Sequence, residues 1–281
     1  MADWLDQPFW ALGNNPSLVT ARHEKITQDN GPYIANGCMR SLRAIYNHAR
    51  KTARSLPAEN PVTAVDWNSE KRRNTALGLN ELPPWVGELR ALENPIRREF
   101  HWFLLLSGSR PYALKRARIE HIDFRSRILH IPKPKGGEIR AFDIPLSRTM
   151  IRCLVRVIRL GRVLHQTKGR EWLFPADSES GHLVEHKEDR ANLAKWGNDL
   201  RQTYRTVAQT VGVADLDIHL LMIHSVIGVN AGYINRNKLL RDHLRHQQEM
   251  ISCKIVDTLQ PRSRSFDEGR LRGLCSRLVP C

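Results

Sequence analysis

The sequence predicts a mainly helical α+β fold with one small β-hairpin, and three observations carry that prediction. Apolar residues recur at three- and four-residue spacing in several segments. A pair of short alternating runs, 127–132 and 139–145, flanks the turn Lys133-Pro134-Lys135-Gly136-Gly137-Glu138. Apolar residues are 41% of the 281-residue chain and charged residues 26%, enough for a packed core and too apolar for wholesale disorder.

In chain order, Met39, Leu42, Ile45, Tyr46 and Ala49 form one helical stripe, with Arg40, Arg43, Arg50, Lys51 and Arg54 mostly on other faces. That helix should end near Ser55-Leu56-Pro57, because a residue before proline avoids the helical region. Gly78, Pro83, Pro84, Gly87 and Pro95 mark 77–95 as the boundary between a first domain, 1–80, and a second, 85–256, with a basic tail over 257–281. The second domain opens with a helix carrying Ile96, Phe100, Phe103 and Leu104, ending at Ser107-Gly108. After the hairpin, Ser147 is placed to cap a helix bearing Met150, Ile151, Leu154, Val155 and Ile158. Residues 178–189 read as loop, 191–211 and 217–224 as helices, and a last helix begins near Tyr233.

Charge narrows the partners. The formal net charge is +15 and the isoelectric point about 10.1, which asks for a polyanion, nucleic acid first and a membrane surface second. No run approaches the ~20 apolar residues that span a bilayer, and Met1-Ala2-Asp3-Trp4-Leu5-Asp6 is acidic where a signal peptide is basic. Cys38, Cys153, Cys253, Cys275 and Cys281 are scattered without a C-x-x-C, so neither a disulfide framework nor a zinc site is expected, and a reducing cytoplasm is the simplest compartment. The five cations on the 40–54 stretch read either as a solvated basic face or as DNA contacts.

The segment Ser107-Gly108-Ser109-Arg110-Pro111-Tyr112-Ala113-Leu114 resembles the first arginine box of the tyrosine recombinases (phage integrases), roughly T-G-L-R-x-x-E-L. Ile122-Asp123-Phe124 resembles the strand entry that follows, and the hairpin resembles the one that carries the family's lysine, matched best by Lys135 with Lys133 as rival. Asn198-Asp199-Leu200-Arg201-Gln202-Thr203-Tyr204 is similar to H-D-L-R-R-T-F, and Leu221-Met222-Ile223-His224-Ser225 to L-L-G-H-S, with 23 residues between Arg201 and His224. Tyr233 follows His224 by nine residues, the family's step to its nucleophile.

The resemblance implies a tyrosine-recombinase catalytic fold preceded by a helical core-binding domain, without an arm-binding domain, in a short or N-terminally truncated form. It implies a site-specific recombinase or integrase for a mobile element or phage, acting on double-stranded DNA as a homotetramer, with an accessory DNA-bending or excision factor and nucleoid association. Arg110 and Arg201 would clamp the phosphate, Tyr233 would attack it, His224 and Asn198 would hydrogen-bond at the centre, and Lys135 would protonate the leaving oxygen. No metal or other cofactor is expected. Leu239, Leu240 and Leu244 would either dock on a neighbouring subunit or pack within their own chain.

The residue types suit the chemistry without the family. A guanidinium is always charged and grips phosphate bidentately, and fixed cations stabilise charge spreading over phosphoryl oxygens. A phenol needs help to ionise near neutral pH, which an arginine field supplies. The competing readings are a capping charge for Arg110, a surface arginine for Arg201 and a core histidine for His224, while Tyr33, Tyr46, Tyr112 and Tyr204 read as packing or surface residues. Asn198 in place of histidine and Ala113 in place of glutamate leave a second function open: an impaired remnant that binds DNA without cutting it.

Overall fold

The computed structural model describes residues 4, 7–71, 74–134, 137–223 and 235–260. The chain divides into two compact units, Met1–Arg73 and Asn74–Cys281. The split precedes the Gly/Pro-rich 77–95 stretch, whose prolines do not break the chain there: Pro83 and Pro84 occupy the first turn of helix α4 (Leu82–Ala91), where a missing N–H costs nothing.

Among its described residues the first unit holds three α-helices, α1 (Phe9–Asn14), α2 (Pro16–Asn30) and α3 (Pro32–Ala49). Prolines at the starts of α2 and α3 preset their first turns. Val19 and Ile26 of α2 pack with Ala35, Met39 and Leu42 of α3 and with Val62 and Val65 from a 3-10 turn at Pro61–Ala64. Asn60 fixes that turn by accepting from the Val62 N–H at 3.0 Å and donating to the Arg43 carbonyl at 3.1 Å. Two expectations fail here. Helix α3 ends at Ala49 rather than near Ser55, and Ile45 is exposed, because the buried stripe runs through Ala35, Met39, Leu42 and Tyr46.

The second unit is helices around one small sheet. After α4 come α5 (Pro95–Ser107) and the short α6 (Pro111–Lys115). Strands β1 (Ile122–Asp123), β2 (Ile128–Ile131) and β3 (Phe142–Pro145) then form an antiparallel sheet in the order β1-β2-β3. The hairpin is real but shorter than expected, because Glu138–Arg140 form a 3-10 turn instead of extending β3. Ser147 caps α7 (Arg148–Leu164), accepting from the Met150 N–H at 3.2 Å.

Helix α8 (Asn198–Thr210) starts seven residues later than the sequence suggested, since 191–197 belong to the preceding loop. Then follow α9 (Asp215–Leu221), α10 (Arg236–Leu239) and α11 (His243–Thr258). Leu240 and Leu244 are buried and Leu239 packs against the core of this same unit, so these leucines serve their own chain rather than a neighbour. The basic tail beyond Gln260 lies outside the described residues.

One buried amide ties the helices together. Tyr204 Oη of α8 donates to Gln248 Oε1 of α11 at 2.9 Å, and Gln248 Nε2 donates to the Leu106 carbonyl of α5 at 2.8 Å and to Ser252 Oγ at 3.2 Å. Gln248 is 1% exposed, so removing its amide takes a partner from three polar groups held away from water. Gln248→Leu is expected to destabilise this unit by about 2–3 kcal/mol, read as a lower urea midpoint at unchanged slope.

Candidate active site

Helix α5 closes with Gly108 in the left-handed region at φ 58° and ψ 16°. A Cβ at this position would run into the Tyr204 ring, so both the backbone angle and the close approach require glycine. The turn sends Ser109 and Arg110 back along the end of α5, where the Ser109 N–H donates to Ser107 Oγ at 3.2 Å. Arg110 is the N-cap of α6 and Pro111 fills its first turn. This is why the first arginine stands exposed at a fixed point instead of continuing a helix.

Arg201 comes to the same place from α8. It is 7% exposed, and its guanidinium donates to the Gly108 carbonyl and, at 2.6 Å, to the Met222 carbonyl just past α9. Burial pushes its pKa down to about 10, and the nearby Arg110 charge adds to the shift. It therefore stays cationic at neutral pH. A plain surface role does not describe a guanidinium held this way.

Arg110 and Arg201 border one cleft of about 110 Å³, together with Arg140, Tyr112, Ser109, Ala113, Pro134, Phe142, Met222 and Ile223. Among these residues there are three arginines and no carboxylate. Among the described lining residues the formal charge is all positive, and such a cleft attracts an anion. Arg140 has no motif in the sequence, and Tyr112 is a surface residue, as expected, at 43% exposure. Tyr112 also lines the cleft, with its hydroxyl accepting from Arg116 Nη1 at 3.2 Å.

The other expected site residues fare differently. Asn198 is exposed on the first turn of α8, one turn before Arg201, and is not among the described residues lining the cleft. Lys133 lies 2.7 Å from Glu138 within the hairpin, so its charge is already partnered. Lys135, His224 and Tyr233 lie outside the described residues. Their described neighbours in sequence are informative: Pro134 and Ile223 both line the arginine cleft. On the far side of Tyr233, Arg236 donates to the Leu220 carbonyl at 3.0 Å and to the Asp143 carbonyl at 2.6 Å. Tyr204 is no rival nucleophile, because it is fully buried and burial pushes its phenol far above the ordinary range.

Cations Arg40, Arg43, Arg50, Lys51 and Arg54 are all exposed in the first unit. Arg40 is partly committed, bonding Glu70 at 2.5 Å and lying 5.9 Å from the Trp67 ring centre.

The loop before α8 is anchored by groups the sequence did not single out. Trp85 Nε1 donates to the Lys195 carbonyl at 2.9 Å and Glu88 accepts from the Ala194 N–H at 2.9 Å. Arg97 and His101 of α5 both meet Glu188 Oε1, each at 2.7 Å. His101 Nδ1 is buried without a partner, so a second ring proton there would have no acceptor. Burial accordingly lowers the His101 pKa against the opposing pull of Glu188. Burial would raise the Glu188 pKa, but hydrogen bonds from His101 and Arg97 outweigh it and the net shift is downward.

No protein-family model matches the chain. The prophage integrase IntF of Escherichia coli (strain K12) is 26% identical to it over 281 residues, spanning 92% of this chain and 56% of that protein. The chain thus spans about half the length of the curated relative it matches. The integrase of transposon Tn1549, solved in complex with circular intermediate DNA, superposes with a TM-score of 0.56 at 15% identity over 78% of this chain and 80% of that one. A lambda integrase tetramer bound to a Holliday junction gives 0.55 at 14% identity over 79% and 64%.

Two predictions follow from the cleft and its support. Ile223 sits at φ 54°, a region costly for a β-branched residue, at the place where the family box quoted above has glycine. Ile223→Gly should raise stability by about 1 kcal/mol, seen as a higher thermal midpoint; an unchanged or lower midpoint would mean the backbone there is not strained. The depressed His101 pKa means that, as pH falls through the mid-sixes, the unfolded chain takes up a proton before the folded one does, so stability drops from pH 7.5 to 5.5. His121 and His186, also lowered by burial first, act with the same sign. Glu188 adds a separate loss only below the ordinary carboxylate range. His101→Gln, which keeps an N–H for Glu188, should flatten the slope in thermal melts across that pH range.

The chain is thus similar in sequence to a prophage integrase and shares the fold of the DNA-bound Tn1549 and lambda integrases.

Proposed function

We propose that the chain is a site-specific DNA recombinase that cuts and rejoins DNA through a 3′-phosphotyrosine intermediate, integrating or excising a mobile element. The observation that carries this reading is the cleft in which Arg110 and Arg201 stand together, with Arg140 beside them. A phosphodiester is the anion that chemistry of this kind serves.

In this mechanism the two guanidiniums bind the non-bridging oxygens of the scissile phosphate and stabilise the charge that spreads over them in the transition state. The Tyr233 oxygen attacks phosphorus, the phosphorus–O5′ bond breaks, and a proton from Lys135 leaves with the 5′-hydroxyl. Lys133 is the weaker candidate for that proton, given its pairing with Glu138. His224 hydrogen-bonds to the phosphate and favours the phenolate. Asn198 can donate one hydrogen bond but cannot exchange a proton as a histidine does, and its exposed position fits a supporting role. Rejoining is the reverse attack by a new 5′-hydroxyl.

Double-stranded DNA is the proposed partner. The basic face around Arg40, Arg43, Arg50, Lys51 and Arg54 is proposed to hold its backbone as a core-binding domain, and the net charge of +15 supports the affinity. A homotetramer is the proposed assembly, because strand exchange between two sites needs four nucleophiles, and the lambda integrase is known as a tetramer on a Holliday junction. An accessory DNA-bending or excision factor and nucleoid association belong to the same proposal. Among the described residues no helix is long and apolar enough to cross a membrane.

The test is covalent trapping. Nicked suicide duplexes from the ends of the chain's own element are incubated with protein and resolved on a denaturing gel. A shifted protein–DNA band that is absent with Tyr233→Phe is expected. Tight duplex binding with no such band would instead assign the chain to the non-cutting DNA-binding class.

A further inference from the structure

The second unit carries a groove of about 690 Å³ between α4, α5, α7 and the end of α11, and it shares no residue with the arginine cleft. Its floor is apolar: Trp102, Leu160, Val256 and Leu259 line it and remain only half-buried. Its rim is cationic, with Arg90, Arg98, Arg152 and Arg156 against a single carboxylate, Glu99. That carboxylate is fully used by Arg156, which grips it at 2.7 and 2.9 Å. Arg90 and Arg152 are exposed and have no side-chain partner among the described residues. The basic rim continues along α7, because Arg148, Arg152, Arg156 and Arg159 recur at four- and three-residue steps and share one face.

We propose that this groove docks an acidic, amphipathic helical segment of another protein. The apolar floor takes the segment's bulky side chains, and the uncompensated arginines take its flanking carboxylates. Charge decides among occupants. The chain's own 261–281 segment holds Arg262, Arg264, Arg270, Arg272 and Arg277 against Asp267 and Glu268, the wrong sign for this rim. A DNA duplex offers phosphates for the arginines but nothing to cover a concave floor of tryptophan and aliphatic side chains. The proposal is independent of strand cleavage, since none of these residues belongs to the proposed catalytic set.

The experiment uses the full chain and a fluorescein-labelled 16-residue helical peptide, with leucine and phenylalanine at i, i+4, i+7 and i+11 flanked by glutamates. Two control peptides replace the glutamates by lysines or the apolar residues by alanines. The expected result is anisotropy-detected binding at least tenfold tighter than either control, weakened at least tenfold by Arg90→Glu with Arg152→Glu. The milder Arg90→Gln with Arg152→Gln, checked by circular dichroism, should weaken it in the same direction. Equal binding of the alanine control, or indifference to both double variants, would overturn the proposal. Competitive displacement by a 20-base-pair duplex would also overturn it and give the face to nucleic acid. Protein dimerisation lost in the double variants would give it to a second copy.

Discussion

The cleft depends on one buried cation. Arg201 is carried inward by α8, and its guanidinium is held by two backbone carbonyls, those of Gly108 and Met222. Each carbonyl belongs to the end of a different helix, α5 and α9. The partial negative charge at helix C-termini is what makes such ends suitable hosts for a cation. Both of these bonds go to backbone carbonyls, which orient the guanidinium. A carboxylate in that position would satisfy the arginine and remove its pull on a phosphate.

This arrangement explains why the surrounding segments have so little freedom. Gly108 must be glycine because the Tyr204 ring passes over it, and Tyr204 is fixed in turn by Gln248. The Gln248 amide reaches back to Leu106, two residues before Gly108. The loop closes on itself: α5 end, α8, α11, and α5 again. The entrance to α8 is set from the other side, by Glu188 between Arg97 and His101 and by the contacts of Trp85 and Glu88. Mutations in that outer ring should therefore act on the position of Arg201 rather than on its charge.

Much of this was legible in the sequence. The helix ending at Gly108, the Ser147 cap and the hairpin all follow from local rules, and Arg110 and Arg201 came from spaced motifs. What escaped was decided by long-range packing. The start of α8 was misjudged because 191–197 have helical composition, yet Ala194 and Lys195 spend their backbone groups on α4. Ile45 fits a helical stripe, but the first unit's second layer covers the face centred on Met39 and Leu42. Arg140 and Tyr112 could not be assigned from spacing, because only the folded hairpin and α6 bring them to the cleft. His101 and Glu188 are 87 residues apart, and no local pattern links them.

The departures from the family pattern gain a sharper meaning against this geometry. Ala113 is buried at the cleft wall, where the family box quoted above has glutamate, and it adds no charge there. Asn198 stands exposed while Arg201, one turn later, holds the buried position, so the substitution falls on the more peripheral of the pair. Ile223 is the more consequential change. It forces a β-branched residue into a left-handed backbone immediately before His224. The Met222 carbonyl on one side is gripped by Arg201, and Arg236 beyond Tyr233 is bound to Leu220 and Asp143. The penalty at Ile223 therefore falls on the wall of the arginine cleft, next to the carbonyl that orients Arg201.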